Sequence, residues 1–167
     1  MGSAFVAESL TVTQLGRALP NSLTEKQGIK KADRLLSNPK LHDEYPMICN
    51  RLCSSLIANH SSPWVLIDWT KMPHKNYHVI RASLVAQGRA ITLYEEIHDE
   101  KKLGSPKVHK KFLQQLKTIL PQSCNPIIVT DAGFGVSWFK SVLKQNWHYV
   151  GRVRGNSYYS KYPDSWL

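Results

Sequence analysis

Two aspartates stand where strongly apolar segments meet polar sequence. Asp68 follows Trp64-Val65-Leu66-Ile67, and Asp131 follows Pro126-Ile127-Ile128-Val129-Thr130. A short apolar run bounded by turn signals reads as a buried strand. A carboxylate at its end is costly unless it is solvated, paired or bound to a cation. If the two strands are neighbours in one mixed sheet, both acids converge on one edge. There they offer hard oxygen ligands to a divalent ion, typically Mg2+ with Mn2+ as a substitute. Two such ions close together would activate a water or a 3′-hydroxyl and stabilise the leaving oxygen of a phosphodiester. Either aspartate alone is as readily a cap of a turn or helix. Their pairing within one domain favours the chemical reading.

Other constellations carry less. His42-x6-Cys49-x3-Cys53-x6-His60 could be imagined as a zinc site, but its spacings match no common finger, and the two cysteines stand i, i+4 in a segment that reads as a helix. Three cysteines, an odd number in a chain with an ordinary core, fit reduced thiols. Gly133 and Gly135 hint at a dinucleotide loop, yet Trp138 stands where the third glycine is needed. Trp64, Trp69, Trp138 and Trp147 occupy core-like positions, where packing is the expected role rather than stacking on bases.

The balance of 22 Lys+Arg against 12 Asp+Glu gives a net charge of +10. Such an excess favours a polyanion, because basic side chains set against phosphates release condensed counterions. The apolar content of 42% is that of a globular protein rather than a disordered one. No run approaches the roughly 20 apolar residues of a membrane span, and no secretory signal opens the chain. With the odd cysteine count, these features lead us to expect a cytoplasmic protein with a polyanionic partner and no membrane partner.

The elements that must position the acids follow from periodicity. Residues 1–60 read as a small helical domain. Leu10, Val12, Leu15 and Leu19 form one stripe, broken at Pro20-Asn21-Ser22. A second helix starts at the Thr24 cap and runs through Ile29, Ala32, Leu35 and Leu36 to Ser37-Asn38-Pro39. A third spans about Asp43 to Ile57, with Met47, Ile48, Leu52 and Leu56 inward. The second helix carries Lys26, Lys30, Lys31 and Arg34, as a helix-turn-helix recognition helix would; a solvated basic face is the alternative. Beyond Asn59-His60-Ser61-Ser62-Pro63, residues 61–167 read as α/β. Strands are predicted at Trp64–Trp69, Tyr77–Val85 and Arg89–Tyr94, with a tight turn at Gln87-Gly88. A helix follows over about 106–120, with Val108, Phe112, Leu113, Leu116 and Leu120 inward and Lys107, Lys110, Lys111 and Lys117 outward. Then come the strand before Asp131, a helix near Trp138–Gln145 and a strand near Tyr149–Val153.

The blocks around these elements are specific. Val65-Leu66-Ile67-Asp68-Trp69, Arg81-Ala82-Ser83, Gly88-Arg89-Ala90 and Thr92-Leu93-Tyr94-Glu95 resemble insertion-sequence DDE transposases of family four, and within it the Tn-ten-like branch. The same branch is matched by Val129-Thr130-Asp131-Ala132-Gly133-Phe134, Trp138-Phe139-Lys140 and Gly151-Arg152-Val153-Arg154-Gly155. Leu15-Gly16-Arg17 and Ile29 to Asn38 match it too. The resemblance covers nearly the whole chain, in order. It implies a ribonuclease H-like mixed sheet preceded by a helical DNA-binding region, and Mg2+-dependent cut-and-paste transposition at inverted-repeat ends. By motif, Asp68 and Asp131 are the first two carboxylates of the metal-binding triad. Arg152 and Arg154 fall in a basic segment where contact with the DNA backbone is expected. Partners would be double-stranded DNA, as element ends and target, and a second copy of the chain on that DNA.

The departures are as specific. The third carboxylate of this family is a glutamate in Tyr-x2-Arg-x3-Glu-x6-Lys, and no such segment occurs here. Thirteen residues follow Arg154, with Asp164 their one acid. Glu95, Glu96, Asp99 and Glu100 precede the second aspartate and do not replace it. Ser137 stands where the family usually has proline. The expectation is therefore a transposase fragment, inactive alone, lacking also a helix that would cover one sheet face. The alternative is a non-enzymatic DNA-binding protein competing for element ends; another ribonuclease H-like nuclease would need a complete acidic cluster, which is not found.

Overall fold

The structure, a computed structural model, describes residues 7–9, 11–19, 23–58, 60–73, 75–152 and 154–155. Leu10, Pro20-Asn21-Ser22, Asn59, Val153 and Asp164 lie outside the described residues. The chain divides into two compact units, Met1–Tyr45 and Pro46–Leu167.

In the first unit, α1 (Val12–Arg17) starts at Thr11, whose hydroxyl accepts from the Gln14 amide. Helix α2 (Glu25–Leu36) starts in a capping box: Thr24 accepts from the Gln27 amide, and the Gln27 side chain accepts from the Thr24 amide. Two orphan donors of the first turn are thereby satisfied. Gly16 and Gly28 let the two helices touch backbone to backbone. A Cβ on Gly16 would lie 2.5 Å from the Ile29 Cα, and one on Gly28 would strike the Gly16 carbonyl oxygen. Arg17 closes the crossing with an exposed ion pair to Glu25, 2.7 Å.

Helix α3 (Pro39–Ile57) begins four residues earlier than the sequence implies. Asn38-Pro39 is a start signal rather than a stop: the Asn38 side chain accepts from the Lys40 amide, and proline fits the first helical position. The inward face also differs. Met47, Ile48 and Leu52 are exposed, while Cys49, Cys53 and Ile57 are buried at i, i+4 spacing. Cysteine packs as a small apolar side chain. Burial first, then the neighbouring thiols of Cys49 and Cys124, pushes Cys53 up to about 12; burial pushes Cys124 up to about 11. The three cysteines are buried in the core.

The second unit is α/β, built on one mixed five-stranded sheet in the order β3-β2-β1-β4-β5. Strands β1 (Trp64–Lys71), β2 (Tyr77–Ala86) and β3 (Arg89–Asp99) form an antiparallel meander. Gly88, at φ 73°, makes the β2–β3 turn that other residues adopt only with strain. Helix α4 (Pro106–Ile119) crosses to β4 (Ile127–Thr130), and α5 (Val136–Leu143) leads to β5 (His148–Gly151). Strands β4 and β5 run parallel to β1. This is the strand arrangement expected of a ribonuclease H-like core.

Alternation divides the sheet into two faces. Val65, Ile67, Ile80, Ala82, Tyr94 and Ile128 lie on the covered face. Phe112, Leu113, Leu116 and Ile119 of α4 and Trp138 and Val142 of α5 complete the core, all of them buried. Tyr94 stacks on Phe112 at 5.4 Å, and the Cys53 thiol reaches the Leu93 carbonyl. Asn50 ties α3 to the end of α4, donating to the Ile119 carbonyl at 2.8 Å. The opposite face is open: Trp64, Leu66, Val85, Ile97 and Val150 are exposed there. Trp64 is thus not a core residue. Among the described residues, no helix is long and apolar enough to cross a membrane.

Gly28→Ala tests the helix crossing by its sign. In an exposed helix interior this change stabilises by about 1 kcal/mol. Here the added methyl meets backbone, so a loss of about 1–3 kcal/mol is expected, read as an earlier thermal transition in circular dichroism. A raised transition temperature would contradict the close approach.

Candidate functional site

The site grows from the pairing of β1 with β4. The register runs Trp64↔Ile127, Val65↔Ile128, Leu66↔Val129 and Ile67↔Thr130. One step further stand Asp68, still inside β1, and Asp131, the first residue past β4; continuing the alternation puts both on the open face. Strands paired in this way lie ~4.8 Å apart, close enough for two carboxylates to share an ion. Asp68 is interior to β1 rather than at its end, because β1 continues to Lys71; only its pairing with β4 stops before it. Both aspartates are exposed. Neither has an ion-pair partner among the described residues.

Local chemistry orients Asp131. Its Oδ1 accepts from the Gly133 amide at 2.8 Å, folding the strand end into a tight turn toward α5. A Cβ on Gly133 would sit 3.0 Å from that same oxygen. Oδ2 takes no bond among the described residues. The arrangement offers oxygen ligands open to solvent, which suits a hard divalent cation that keeps several waters. Among the described residues, no group of three or more His, Cys, Asp or Glu side chains is placed to hold a metal. The two acids are a pair, not a complete cage.

The same level of the sheet carries further charge. Arg81 is the antiparallel partner of Asp68, and Glu95 is the partner of Arg81. Arg81 Nε donates to Glu95 Oε2 at 2.7 Å. On the other side, the Arg152 amide donates to the Thr130 carbonyl at 3.2 Å, continuing the β4–β5 ladder and setting Arg152 beside Asp131. Across the open face the order is Glu95, Arg81, Asp68, Asp131, Arg152. Sequence reasoning did not single out the Arg81–Glu95 pair as part of the site. The two-residue turn at Gln87-Gly88 signals the hairpin, but an irregularity between Ala82 and Ser83 shifts the register by one. Without that shift Arg81 would face Tyr94.

The basic residues expected to meet DNA fall in two places. Lys26, Lys30, Lys31 and Arg34 are all exposed on α2. At about 100° per residue, Lys26, Lys30 and Arg34 lie on an arc opposite the buried Gly28 and Ala32, with Lys31 at its edge. Arg152 and Arg154 are exposed after β5. The structure brings Arg152 to the acid pair and leaves the α2 residues in the other unit.

Behind the acids, on the covered face, lies an aromatic cluster centred on His109 of α4, which is 4% exposed. Trp69, next to Asp68, donates from Nε1 to His109 Nε2 at 3.0 Å. The imidazole stacks on Phe134 at 5.2 Å and meets Trp138 edge-on at 5.0 Å. Phe134 lies three residues after Asp131, so one buried side chain joins the segments that carry both acids. Because Nε2 accepts, the ring is neutral with its proton on Nδ1. Burial lowers its pKa to about 4.

Residues 60–164, more than half of the chain, match the family model described as "Transposase DDE domain". Comparison with curated proteins gives no match. Among solved structures, the chain is similar to the protein of the Mos1 strand transfer complex, with a TM-score of 0.37 and 12% identity. The match covers 89% of this chain and 55% of that one, so this chain spans little more than half its length. At that level we transfer no residue correspondence.

Neutral, buried His109 makes stability depend on pH. A histidine held below its ordinary pKa contributes stability that is full above about 6.5 and is lost as pH falls toward 4. From 6.5 to about 4, at about 1.4 kcal/mol per unit, the loss is roughly 3 kcal/mol. Urea unfolding at neutral pH and near pH 4 should reveal it, and His109→Phe should flatten that dependence. An unchanged slope in His109→Phe would show that His109 is not its source.

Proposed function

The chain belongs to the DDE transposase family, and from that premise we propose that Asp68 and Asp131 are its first and second metal ligands. The observation that carries this reading is the β1–β4 register, which sets the two aspartates side by side on an open face. Divalent metal ions are the general cofactor of DDE transposases. Mg2+ fits the all-oxygen pair best and Mn2+ would replace it. Bound there, the metal would supply Lewis-acid stabilisation of charge on a phosphodiester under attack. The chain's own residues hold and orient. Asp131 is fixed through Oδ1 by the Gly133 amide, leaving Oδ2 for the ion. Asp68 is presented from a strand anchored on its buried side by Val65, Ile67 and the Trp69–His109 bond.

The substrate in this reading is double-stranded DNA at the terminal inverted repeats of an insertion sequence, moved by cut-and-paste within family four and its Tn-ten-like branch. Lys26, Lys30, Lys31 and Arg34 form a basic arc suited to phosphate contact, and Arg152 and Arg154 supply backbone contacts near the acids. The basic arc also supports the second reading, metal-independent DNA binding that competes for element ends. The Tyr-x2-Arg-x3-Glu-x6-Lys segment is absent from the sequence, and no third ligand joins the pair among the described residues. We therefore expect these 167 residues alone to bind metal weakly and to leave DNA uncut.

Mn2+ added to the isotopically labelled chain should broaden the amide resonances around Asp68 and Asp131 before any others. Asp68→Asn combined with Asp131→Asn should abolish that broadening without lowering stability by more than about 1 kcal/mol, since both side chains are exposed. Selective broadening elsewhere, or a Mg2+-dependent nick in repeat DNA lost on Asp68→Ala, would overturn the respective halves of the proposal.

A further inference from the structure

We infer that Arg81 is a substrate-contacting residue of the same site, gripping a DNA phosphate immediately beside Asp68. This role rests on the metal-site reading of Asp68 and Asp131 given above. Three placements carry it. Arg81 and Asp68 are register partners on adjacent strands, so their side chains leave the sheet on the same open face. Arg81 is engaged through Nε alone, by Glu95 Oε2 at 2.7 Å, and its two terminal nitrogens take no bond among the described residues. Its side chain is 44% exposed. A guanidinium pinned at Nε keeps its Nη edge for a second, forked acceptor, and a phosphate's paired oxygens fit that fork.

Glu95 has a defined part in this. An arginine beside Asp68 with no other partner would pair with it and compete with the metal. Glu95, on the far side of Arg81, draws the guanidinium away and holds it ready. The β-bulge is what makes this possible. Leu93 falls out of the one-to-one register, so Glu95 instead of Tyr94 stands opposite Arg81. Bulges are used to re-aim side chains beside functional sites. On the opposite flank, Arg152 comes one residue after the last β4–β5 pair, as Asp131 does on β4, and its amide donates to the Thr130 carbonyl. The acid pair is thus bracketed by two guanidinium-bearing residues, which suits a DNA backbone crossing the strands with one phosphate at the metal and its neighbours at the arginines.

The test is binding of a short fluorescein-labelled DNA duplex to the full chain, by anisotropy, in Mg2+ and in EDTA. Wild type is expected to bind more tightly in Mg2+. Arg81→Ala should remove roughly ten- to a hundredfold of affinity in Mg2+, the range of a charge-assisted contact. In EDTA it should change affinity by less than about twofold, within the scatter of an exposed charge. Arg81→Lys should recover only part, because it restores charge but not the fork. Both variants should melt at the wild-type temperature, the Glu95 pair being exposed. If Arg81→Ala binds like wild type in Mg2+ while Asp68→Asn loses the Mg2+-dependent gain, the site stands and the role of Arg81 falls. Equal weakening with and without Mg2+ would make Arg81 a general backbone contact and also overturn it. A wild-type affinity indifferent to Mg2+ and to Asp68→Asn would remove the metal site itself, and the role of Arg81 with it.

Discussion

The acid pair and the arginines beside it depend on the parallel pairing of β1 with β4. These strands are separated in sequence by two others and a helix, so no local turn brings them together. The pairing forms because both strands have an apolar face to bury. Val65, Ile67 and Ile128 share one core with Phe112, Leu116 and Trp138, all buried. Fully burying one such side chain contributes about 1.5–3 kcal/mol. That burial also fixes register, since a slip of one residue would exchange the buried and open faces. With Ile67 against Thr130, the next residues on the open face are the two aspartates. Their juxtaposition is a by-product of core packing, maintained by groups that never meet a ligand.

The two sides of the sheet divide the work. The covered side positions: Trp69, His109, Phe134 and Trp138 form a packed cluster in which half-buried Trp69 donates a hydrogen bond to buried His109. A buried acceptor such as His109 Nε2 is costly to leave without a partner, so the bond ties the segments beside both acids together. The open side carries charge. The acids lie between Arg81 and Arg152, and Arg81 pairs with Glu95 rather than with Asp68 among the described residues. A packed support behind and exposed acids and guanidinium groups in front are what a site for a cation and a polyanion requires.

Much of this was legible in the residues. The apolar runs before Asp68 and Asp131, the turn at Gln87-Gly88, the Thr24 cap and the amphipathic helix with Phe112, Leu113 and Leu116 inward each carry a local signal, and the elements lie where those signals put them. The α/β class follows from the sequence of elements, and the mixed sheet with β4 beside β1 is what the family resemblance implies. What was not legible depends on tertiary context. The inward face of α3 is lined by Cys49, Cys53 and Ile57, and periodicity alone could not prefer it to the more hydrophobic face of Met47, Ile48 and Leu52. Asn38-Pro39 reads equally as an ending or a beginning. Gly16 and Gly28 look like weak helix residues until another backbone is seen against them. The Arg81–Glu95 pair needed a bulge that no sequence rule places.

The central claim is that Asp68 and Asp131 hold one divalent ion between them. The most direct measurement is anomalous diffraction from crystals of the full chain soaked in Mn2+. An anomalous peak is expected within coordination distance of a carboxylate oxygen from each aspartate, its remaining positions filled by water or a phosphate. A peak bound by Glu95, Glu96 or Asp99 instead, or by one aspartate alone, would contradict it.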